Sequence, residues 1–247
     1  MKSRRYSGIL ILATALSATV GAQEDGIDLD DLFNDDFEEQ STVSINDPFE
    51  KVNRAIFNFN DGVYDKVARP LARSYSNVMP DRVERGLANA FRNLKFPSRF
   101  TGNVLQARFG QAGKETGKFV LNTTVGLGGL FRPSDRFDSL QTSNEDIGQA
   151  FGTWGIGHGF YVIIPFMGPT SLRDFVADFG DDAVDPIPTP WSQIDDSQDR
   201  LIIRVVDITN RLPALMELYD SMRRSSIDPY SSVRDAYAQR RAREEAR

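Results

Sequence analysis

The chain has 247 residues, a formal net charge of −6, 40% hydrophobic residues and no cysteine. The lack of cysteine excludes disulfides, thiolate nucleophiles and thiolate metal sites. The charge is uneven: a basic start of +3 and eleven acidic residues in 23–50 leave residues 51–247 at +2. A nearly neutral body without a basic stripe argues against a nucleic-acid partner.

The N-terminal residues have the pattern of an export signal. Lys2, Arg4 and Arg5 precede an apolar stretch that ends in small residues at Ala22. This predicts a signal peptide over residues 1–22, with an uncleaved membrane anchor as the alternative. Residues 23–45 are predicted to be an acidic, disordered linker, because like charges repel and aromatic residues are few. A specific acidic docking site is the alternative for this stretch.

The first predicted helix runs from Asp47 to about Ala72, with a break expected at Pro70. Asp47 is a suitable N-cap, and a proline follows at the first helical position. Its apolar residues recur at spacings of three and four: Phe49, Val52, Ile56, Phe59, Val63 and Val67. Phe57 lies off this stripe and extends aromatic surface to a second face. Such a helix is either deeply buried or in contact with lipid.

The rest of the chain is predicted to be mainly helical. Helices are expected over 80–94, 97–109, 111–125, 171–179 and 196–212. Pro213 is expected to start or kink the next helix, and a last segment starts at Asp228. The glycine-rich run 126–131 ends one of them, and 161–164 is a short extended piece. Residues 132–150 form a long polar connection of the kind that is usually a functional lid or disordered. Prolines predict an extended turn over 185–190, and residues 239–247 are predicted to be a charged C-terminal tail.

No enzyme signature is found. His158 is the only histidine, and no nucleophile elbow accompanies it, so a packed or interfacial role is favoured over a catalytic one. Asp181, Asp182 and Asp185 lack the spacing of a calcium loop. The glycine-rich runs lack the lysine of a phosphate loop, and close backbone packing explains them better. No metal, cofactor or catalytic residue is predicted.

Several motifs in one order resemble a known family. They are Asn46–Glu50, Asn53–Asn60, Arg69–Ala72, Phe119–Phe131, Gly148–Gly159, Tyr161–Gly168, Ser171–Asp174, Asp228–Tyr230 and Val233–Tyr237. Over about residues 46–238, this domain resembles the MlaA (VacJ) family of the outer-membrane lipid-asymmetry system.

The resemblance implies a mainly α fold: a ring-shaped assembly of amphipathic interfacial helices around a lipid channel, with a short extended or hairpin element. It implies a place in the inner leaflet of the outer membrane beside a porin trimer. Phospholipids mislocalised to the outer leaflet would pass through the channel to a periplasmic MlaC-like lipid carrier, without covalent chemistry or a cofactor. The alternative is a porin-associated structural or assembly factor that moves no lipid.

The resemblance also places a candidate gate at residues 132–150, which match the family's hairpin near the channel. The candidates for the lipid channel or gate are Asn58, Phe59, Asn60, Gly126, Gly128, Gly129, Phe131, Phe137, Phe151, Gly155 and Gly157. Three polar side chains of the first helix, Arg54, Asn58 and Asn60, are expected to point towards a wet lumen.

One departure from the family concerns attachment to the membrane. Gln23 stands where a family member would carry an acylated cysteine. Three explanations stay open: porin contact with the interfacial helices suffices, the uncleaved signal anchors the chain, or the protein is partly soluble in the periplasm. The expected location is the periplasmic side of the outer membrane.

Overall fold

The computed structural model describes residues 44–185 and 197–246, and the side chains of 44–185 and 202–246. The predicted signal peptide lies outside the described residues, as do all but the last two residues of the predicted acidic linker. The predicted turn over 185–190 lies outside them too, except for its first residue, Asp185. Within the described ranges the chain forms nine α-helices and one two-stranded sheet.

The regular elements in the first half of the described chain are all helices. Its helices are α1 (Glu50–Val63), a π-helical turn (Tyr64–Ala68), α2 (Arg69–Val78), α3 (Asp81–Leu94), α4 (Phe96–Leu105) and α5 (Phe109–Thr124).

The second half begins with two short 3-10 helices and contains the sheet. These elements are the 3-10 turns Pro133–Arg136 and Asp138–Leu140, α6 (Ile147–Thr153), β1 (Tyr161–Ile164), β2 (Gly168–Ser171), α7 (Leu172–Val184), α8 (Ser197–Ser225) and α9 (Pro229–Ala246).

The start of α1 differs from the sequence prediction. The carbonyl oxygen of Phe49 accepts hydrogen bonds from the backbone N–H groups of Val52 and Asn53, so the helix begins at Glu50. The carboxylate of Asp47 instead accepts a hydrogen bond from the Asn53 side chain at 2.8 Å. The prediction that Asp47 caps the helix is therefore wrong, because its carboxylate accepts from Asn53 and, across the fold, from the Tyr230 hydroxyl.

Two prolines expected to break or start helices lie within continuous helical stretches. Pro70 lies in the first turn of α2, directly after the π-helical turn. A π-helical turn widens the helix where a proline ring would otherwise press on the preceding turn. Pro213 lies inside α8, which runs unbroken through residues that the sequence divides between two helices.

The predicted extended piece at 161–164 is confirmed as β1, and its partner β2 was not predicted. The two strands are antiparallel, with Tyr161 opposite Ser171 and Ile164 opposite Gly168. Gly168 and Pro169 in β2 are typical of turns, so the strand has little local signal. The strand forms because pairing with β1 gives its backbone groups hydrogen-bond partners.

The packing contacts form a closed circuit of elements. α8 packs against α2 and α3, α3 packs against α4, and α4 packs against α6. α6 packs against α9, and α9 returns to α8 and also contacts β2. The hairpin in turn lies against α1. The prediction of a mainly α fold with a short hairpin is confirmed.

The stretch predicted as a charged tail is a packed part of α9. Arg241 is buried and forms ion pairs with Asp146 at 2.6 Å and with Asp174 at 2.8 Å. These pairs tie the end of α9 to α6 and α7, and the helix continues to Ala246.

The interior is unusually polar. Among the described residues, 20 buried side chains are polar or charged and 16 are apolar. Nine of the apolar ones form two small clusters, one between α2 and α8 around Ile208 and one between the hairpin and α9 around Tyr161. Over the described part of the chain, no helix is both long enough and apolar enough to cross a membrane.

Candidate functional site

Half of the apolar stripe of α1 faces outward, while Ile56 packs against the Tyr161 cluster. Phe49, Val52 and Phe59 are 50%, 58% and 48% exposed, whereas Asn53 on the other side of the helix is 2% exposed. The distribution is the inverse of that expected for a helix of a water-soluble protein, whose apolar face is buried. α1 therefore offers Phe49, Val52 and Phe59 to the surroundings.

The same inversion occurs in α7 and at the end of α5. Leu172, Val176 and Phe179 recur at spacings of four and three along α7, and all three are exposed. A further exposed group surrounds the glycine-rich turn after α5: Val125, Leu127, Leu130 and Phe131. Exposed apolar surface on several elements marks a site of contact with lipid or another apolar partner.

The buried face of α1 holds the hairpin through an asparagine. The Asn53 side-chain amide donates to the carbonyl oxygen of Tyr161 at 3.1 Å, and its oxygen accepts from the backbone N–H of Ile163 at 2.9 Å. A polar side chain on this face therefore forms hydrogen bonds with one edge of β1, and β2 pairs with the other edge.

A polar cavity of about 110 Å³ lies between α3, α4, α5 and the segment that follows α5. We call it the cationic cavity, because four of its ten lining side chains are basic. The lining residues are Asn89, Arg92, Asn93, Arg99, Lys118, Asn122, Arg132, Gln141, Thr142 and Asn144. None of the ten is apolar, which distinguishes the cavity from the exposed surface of the same helices.

One buried carboxylate organises the basic side chains of the cationic cavity. Glu115 accepts hydrogen bonds from Arg99 at 2.9 Å, from Lys118 at 3.1 Å and from the Thr142 hydroxyl. Burial by itself would raise the pKa of Glu115, but the Arg99 and Lys118 charges lower it below its usual value. Burial also lowers the pKa of Lys118, and the like charge of Arg99 adds to this effect.

The segment 132–150 forms one wall of the cationic cavity and is held at both ends. The backbone N–H of Ser134 donates to the Asn122 side chain at 3.1 Å. At the other end, buried Glu145 accepts from Gln106 at 2.8 Å and from Arg108 at 2.9 Å. The stretch between these ends, around residues 135–141, is largely exposed.

The candidate residues of α1 lie in three different settings. Asn58 is exposed and lines a separate cavity of about 210 Å³ that also includes Arg54. The ring of Phe59 meets that of Phe166 edge to face at 5.0 Å. Asn60 bonds the hairpin turn, accepting from the Phe166 backbone N–H at 2.8 Å and donating to the Ile164 carbonyl at 3.1 Å.

Two of the candidates at the end of α5, Gly126 and Gly129, lie against residues that line the cationic cavity. Gly129 has a φ of +94°, and a Cβ there would lie 2.5 Å from that of Asn93, a lining residue. Gly126 is buried at the end of the helix, where a Cβ would meet the Asn122 carbonyl oxygen at 2.3 Å. Gly128 and Phe131 of the same turn are exposed.

The remaining candidates are not gathered at this cavity. Phe137 is exposed in the middle of the 132–150 segment, whereas Gly155 and Gly157 are exposed beyond α6. The ring of Phe151 packs near that of Trp154, with centroids 5.6 Å apart. Whether these residues line a lipid path stays a prediction.

Sequence reasoning missed the four basic residues of the cavity: Arg92, Arg99, Lys118 and Arg132. A signal was available in α5, where Glu115, Lys118 and Asn122 recur at spacings of three and four. Such spacing gives a helix one polar face. The sequence prediction for this helix used its apolar residues, which lie on another face.

A second charged cluster joins α6, α7 and α9. Arg173 pairs with Asp174 at 2.9 Å and with Glu245 at 2.5 Å, and Glu245 lies 3.4 Å from His158. Burial by itself would raise the pKa of Asp174, but the charges of Arg241 and Arg173 lower it to about 2. Burial lowers the pKa of His158. In the described ranges, no group of histidine and acidic side chains is arranged to hold a metal ion.

Comparison with known proteins identifies the family. A family model described as MlaA lipoprotein matches residues 45–244, which is most of the chain.

The chain belongs to the MlaA lipoprotein family.

Curated relatives of the MlaA family agree with this. The intermembrane phospholipid transport system lipoprotein MlaA of Shigella flexneri is 33% identical over 197 residues, covering 78% of this chain and 76% of that protein. The protein of the same name from Escherichia coli K12 is 32% identical, again over 78% of this chain and 76% of that protein. An uncharacterized protein of Rickettsia prowazekii is 29% identical over 86% of this chain and 82% of its own length.

The MlaA fold also matches in three dimensions. A solved structure from work on the structural basis for maintenance of bacterial outer membrane lipid asymmetry superposes with a TM-score of 0.68 at 28% identity. The match covers 81% of this chain and 98% of that one. The fold is therefore the ring-like helical fold of MlaA, in agreement with the closed circuit of packing contacts.

Proposed function

We propose that this protein removes phospholipids mislocalised to the outer leaflet of the outer membrane and passes them through a central channel towards the periplasm. The observation that carries the proposal is the inverted distribution of side chains, with apolar groups exposed on α1 and α7 and polar groups buried. A phospholipid has a charged headgroup and apolar chains, so its passage needs a polar path next to an apolar surface. The relatives named as phospholipid transport lipoproteins support this assignment.

The same surface suggests how the protein is seated in the membrane. Side chains such as Phe59 and Phe179 gain roughly 25 cal/mol per Å² of apolar area that they remove from water, without spanning the bilayer. We place the ring at the periplasmic side of the outer membrane, in its inner leaflet and beside a porin trimer. The acceptor of the lipid in this scheme is a soluble periplasmic carrier of the MlaC kind. No covalent step and no cofactor are involved.

Gene deletion tests the proposal in the parent bacterium. A membrane-impermeant amine reagent labels phosphatidylethanolamine that reaches the cell surface, and we expect labelling to rise in the deletion strain and to return to normal on complementation. Porin trimers are quantified in parallel. Normal surface labelling together with a loss of porin trimers would refute lipid transport and favour the assembly-factor alternative.

The gate proposed at 132–150 has a separate test that uses the lack of cysteine in this chain. A cysteine introduced at exposed Ser139 is the only thiol, so a bulky maleimide modifies that position alone. We expect the modification to reduce the transfer of labelled phospholipid from vesicles to the carrier. The matched control is Ser76→Cys on exposed α2. Equal transfer by both modified proteins would argue against a gate in this segment.

A further inference from the structure

We infer that the cationic cavity is a binding site for the phosphate group of a phospholipid, with the 132–144 segment as one of its walls. The inference rests on the proposed function and deepens it, because it names the part of the lipid that is recognised and the side chains that recognise it. The shared chemistry is a phosphate anion, and free phosphate is the other source to be distinguished.

The charge balance of the cavity favours an anion. Four lining side chains are basic and none is acidic. The nearest carboxylate behind the lining, Glu115, is shared by Arg99 and Lys118, so these two positive charges have one negative charge between them. Arg132 has its own partner in Asp135 at 3.0 Å. Like charges held in a partly dry site repel each other, and an anionic ligand relieves this repulsion.

Two of the basic side chains, Arg99 and Lys118, have hydrogen-bond donors left for a ligand. Within the described residues, the hydrogen bonds of Arg99 go to Glu115 and to the carbonyl oxygen of Arg92, and they use two of its five N–H groups. Lys118 donates to Glu115 and Thr142, which uses two of its three. Charge-assisted hydrogen bonds from arginine and lysine are the usual means of holding phosphate oxygens.

The fixed position of the donors adds to the fit. Glu115 has no exposed side-chain surface and holds both cations from behind, so their free N–H groups need little reordering when a ligand arrives. Amide side chains complete the wall, including Asn93, which donates to Thr123 at 2.9 Å. Such preorganised donors distinguish a built site from a loose cluster of surface charges.

The size and lining of the cavity fit a headgroup phosphate better than an acyl chain. A volume of about 110 Å³ corresponds to about three or four water molecules. An acyl chain would gain nothing from a lining without apolar side chains. The exposed apolar residues Leu127 and Phe131 lie in the turn that borders the cavity, where they provide a surface for the chains of the same lipid.

Binding of short-chain lipids to the purified full-length protein tests the inference. The probes are dihexanoylphosphatidylcholine below its critical micelle concentration, dihexanoylglycerol, which lacks the phosphate, and inorganic phosphate. We expect the phospholipid to bind at least about tenfold more tightly than either of the others, since a hydrogen bond to a charged group contributes about that factor or more. Equal binding of phospholipid and dihexanoylglycerol would overturn the inference. Inorganic phosphate binding as tightly as the phospholipid would assign the site to free phosphate and also overturn it.

Variants locate the binding in the cavity. Lys118→Gln and Arg132→Gln should each weaken phospholipid binding about tenfold and leave dihexanoylglycerol binding unchanged. The matched control is Arg85→Gln, which removes one positive charge from an exposed position of α3 outside the lining. Lys118→Arg keeps the charge and should retain most of the affinity, which separates loss of binding from loss of folding. Unchanged affinity in Lys118→Gln and Arg132→Gln would refute the cavity as the site.

The headgroup site and the transport function can be refuted independently of each other. If Lys118→Gln binds phospholipid as the unchanged protein does, the headgroup site is wrong, while surface labelling of the deletion strain still decides the transport function. If deletion leaves the outer leaflet unchanged, the transport function is wrong whatever the binding data show.

Discussion

Asn53 and Tyr161 are 108 positions apart, and the side-chain amide of Asn53 donates to the Tyr161 carbonyl oxygen at 3.1 Å. Together with the bond that its oxygen accepts from Ile163, this contact makes one side chain the partner of two backbone groups of β1. A buried asparagine in the first turn of α1 therefore helps to decide where the hairpin lies on the helix.

We expect Asn53→Ala to lower the free energy of unfolding by about 2–3 kcal/mol, because it leaves buried backbone groups without partners. The control is Asn58→Ala on the exposed part of the same helix, for which the expected change is within about 0.5 kcal/mol. Urea denaturation of the detergent-solubilised protein, followed by circular dichroism, measures both. A similar loss in the two variants would contradict the role given to Asn53.

The glycine-rich turn after α5 offers a matched pair of substitutions. Both glycines have positive φ, but a Cβ at Gly128 would meet nothing within 4 Å, whereas one at Gly129 would lie 2.5 Å from the Asn93 side chain. We expect Gly128→Ala to destabilise the protein by about 1 kcal/mol through backbone strain alone. Gly129→Ala adds a steric clash and should lose about 3 kcal/mol. If thermal denaturation ranks them in the opposite order, the close approach to Asn93 is wrong.

Acid stability should depend on Asp174. The pKa of this buried carboxyl is lowered from 3.8 to about 2. A lowered pKa in the folded state gives stability that is fully present above about pH 4 and is lost as the pH falls towards 2. The loss attributable to this group is about 2 kcal/mol.

Denaturation at pH 5 and at pH 2.5 checks this pH dependence. Asp174→Asn should be less stable at pH 5, because Arg173 and Arg241 lose a charged partner. The variant should also lose less stability on acidification than the unchanged protein does. If both proteins lose the same free energy of unfolding between pH 5 and pH 2.5, Asp174 does not cause the acid sensitivity.

Membrane association should depend on the exposed apolar residues at the end of α5. Leu127 and Phe131 are 64% and 62% exposed, and a side chain of either type contributes roughly 1.5–3 kcal/mol when it leaves water. Replacing both with serine should weaken binding to vesicles at least about tenfold in a flotation assay. Serine substitutions at two apolar positions of the buried core would not serve as a control, since they would unfold the protein.

The control for membrane binding is therefore a pair of exposed polar positions, Ser76→Ala and Ser139→Ala, which should float as the unchanged protein does. Flotation of Leu127→Ser/Phe131→Ser equal to that of this control would mean that the glycine-rich turn is not in the membrane.

The sequence predicted most helices because their signals are local. Pro80 and Asp81 begin α3, and the glycine-rich run ends α5 where it was expected. β2 was missed because its residues favour a turn and its strand form depends on pairing with β1. The capping role given to Asp47 was wrong for a similar reason, since the distant Tyr230 hydroxyl donates to its carboxylate.

The sequence alone predicted only part of the candidate site. The glycine-rich turn and the 132–150 segment were singled out, and both border the cationic cavity. The basic residues that line it come from α3, α4, α5 and the segment after α5, so no single stretch of sequence contains the cluster. Each of them alone looks like an ordinary charged residue on a helix surface.

The sequence by itself determined the family, the helical class and the apolar stripe of α1, because motifs, caps and helical periodicity are properties of neighbouring residues. It left open whether the residues of that stripe are buried or exposed. Only the tertiary structure decided this, by placing Asn53 against the hairpin and Phe59 at the surface. The physical reason is that burial depends on which face of a helix its distant partners cover, and those partners lie more than 100 residues away in the chain.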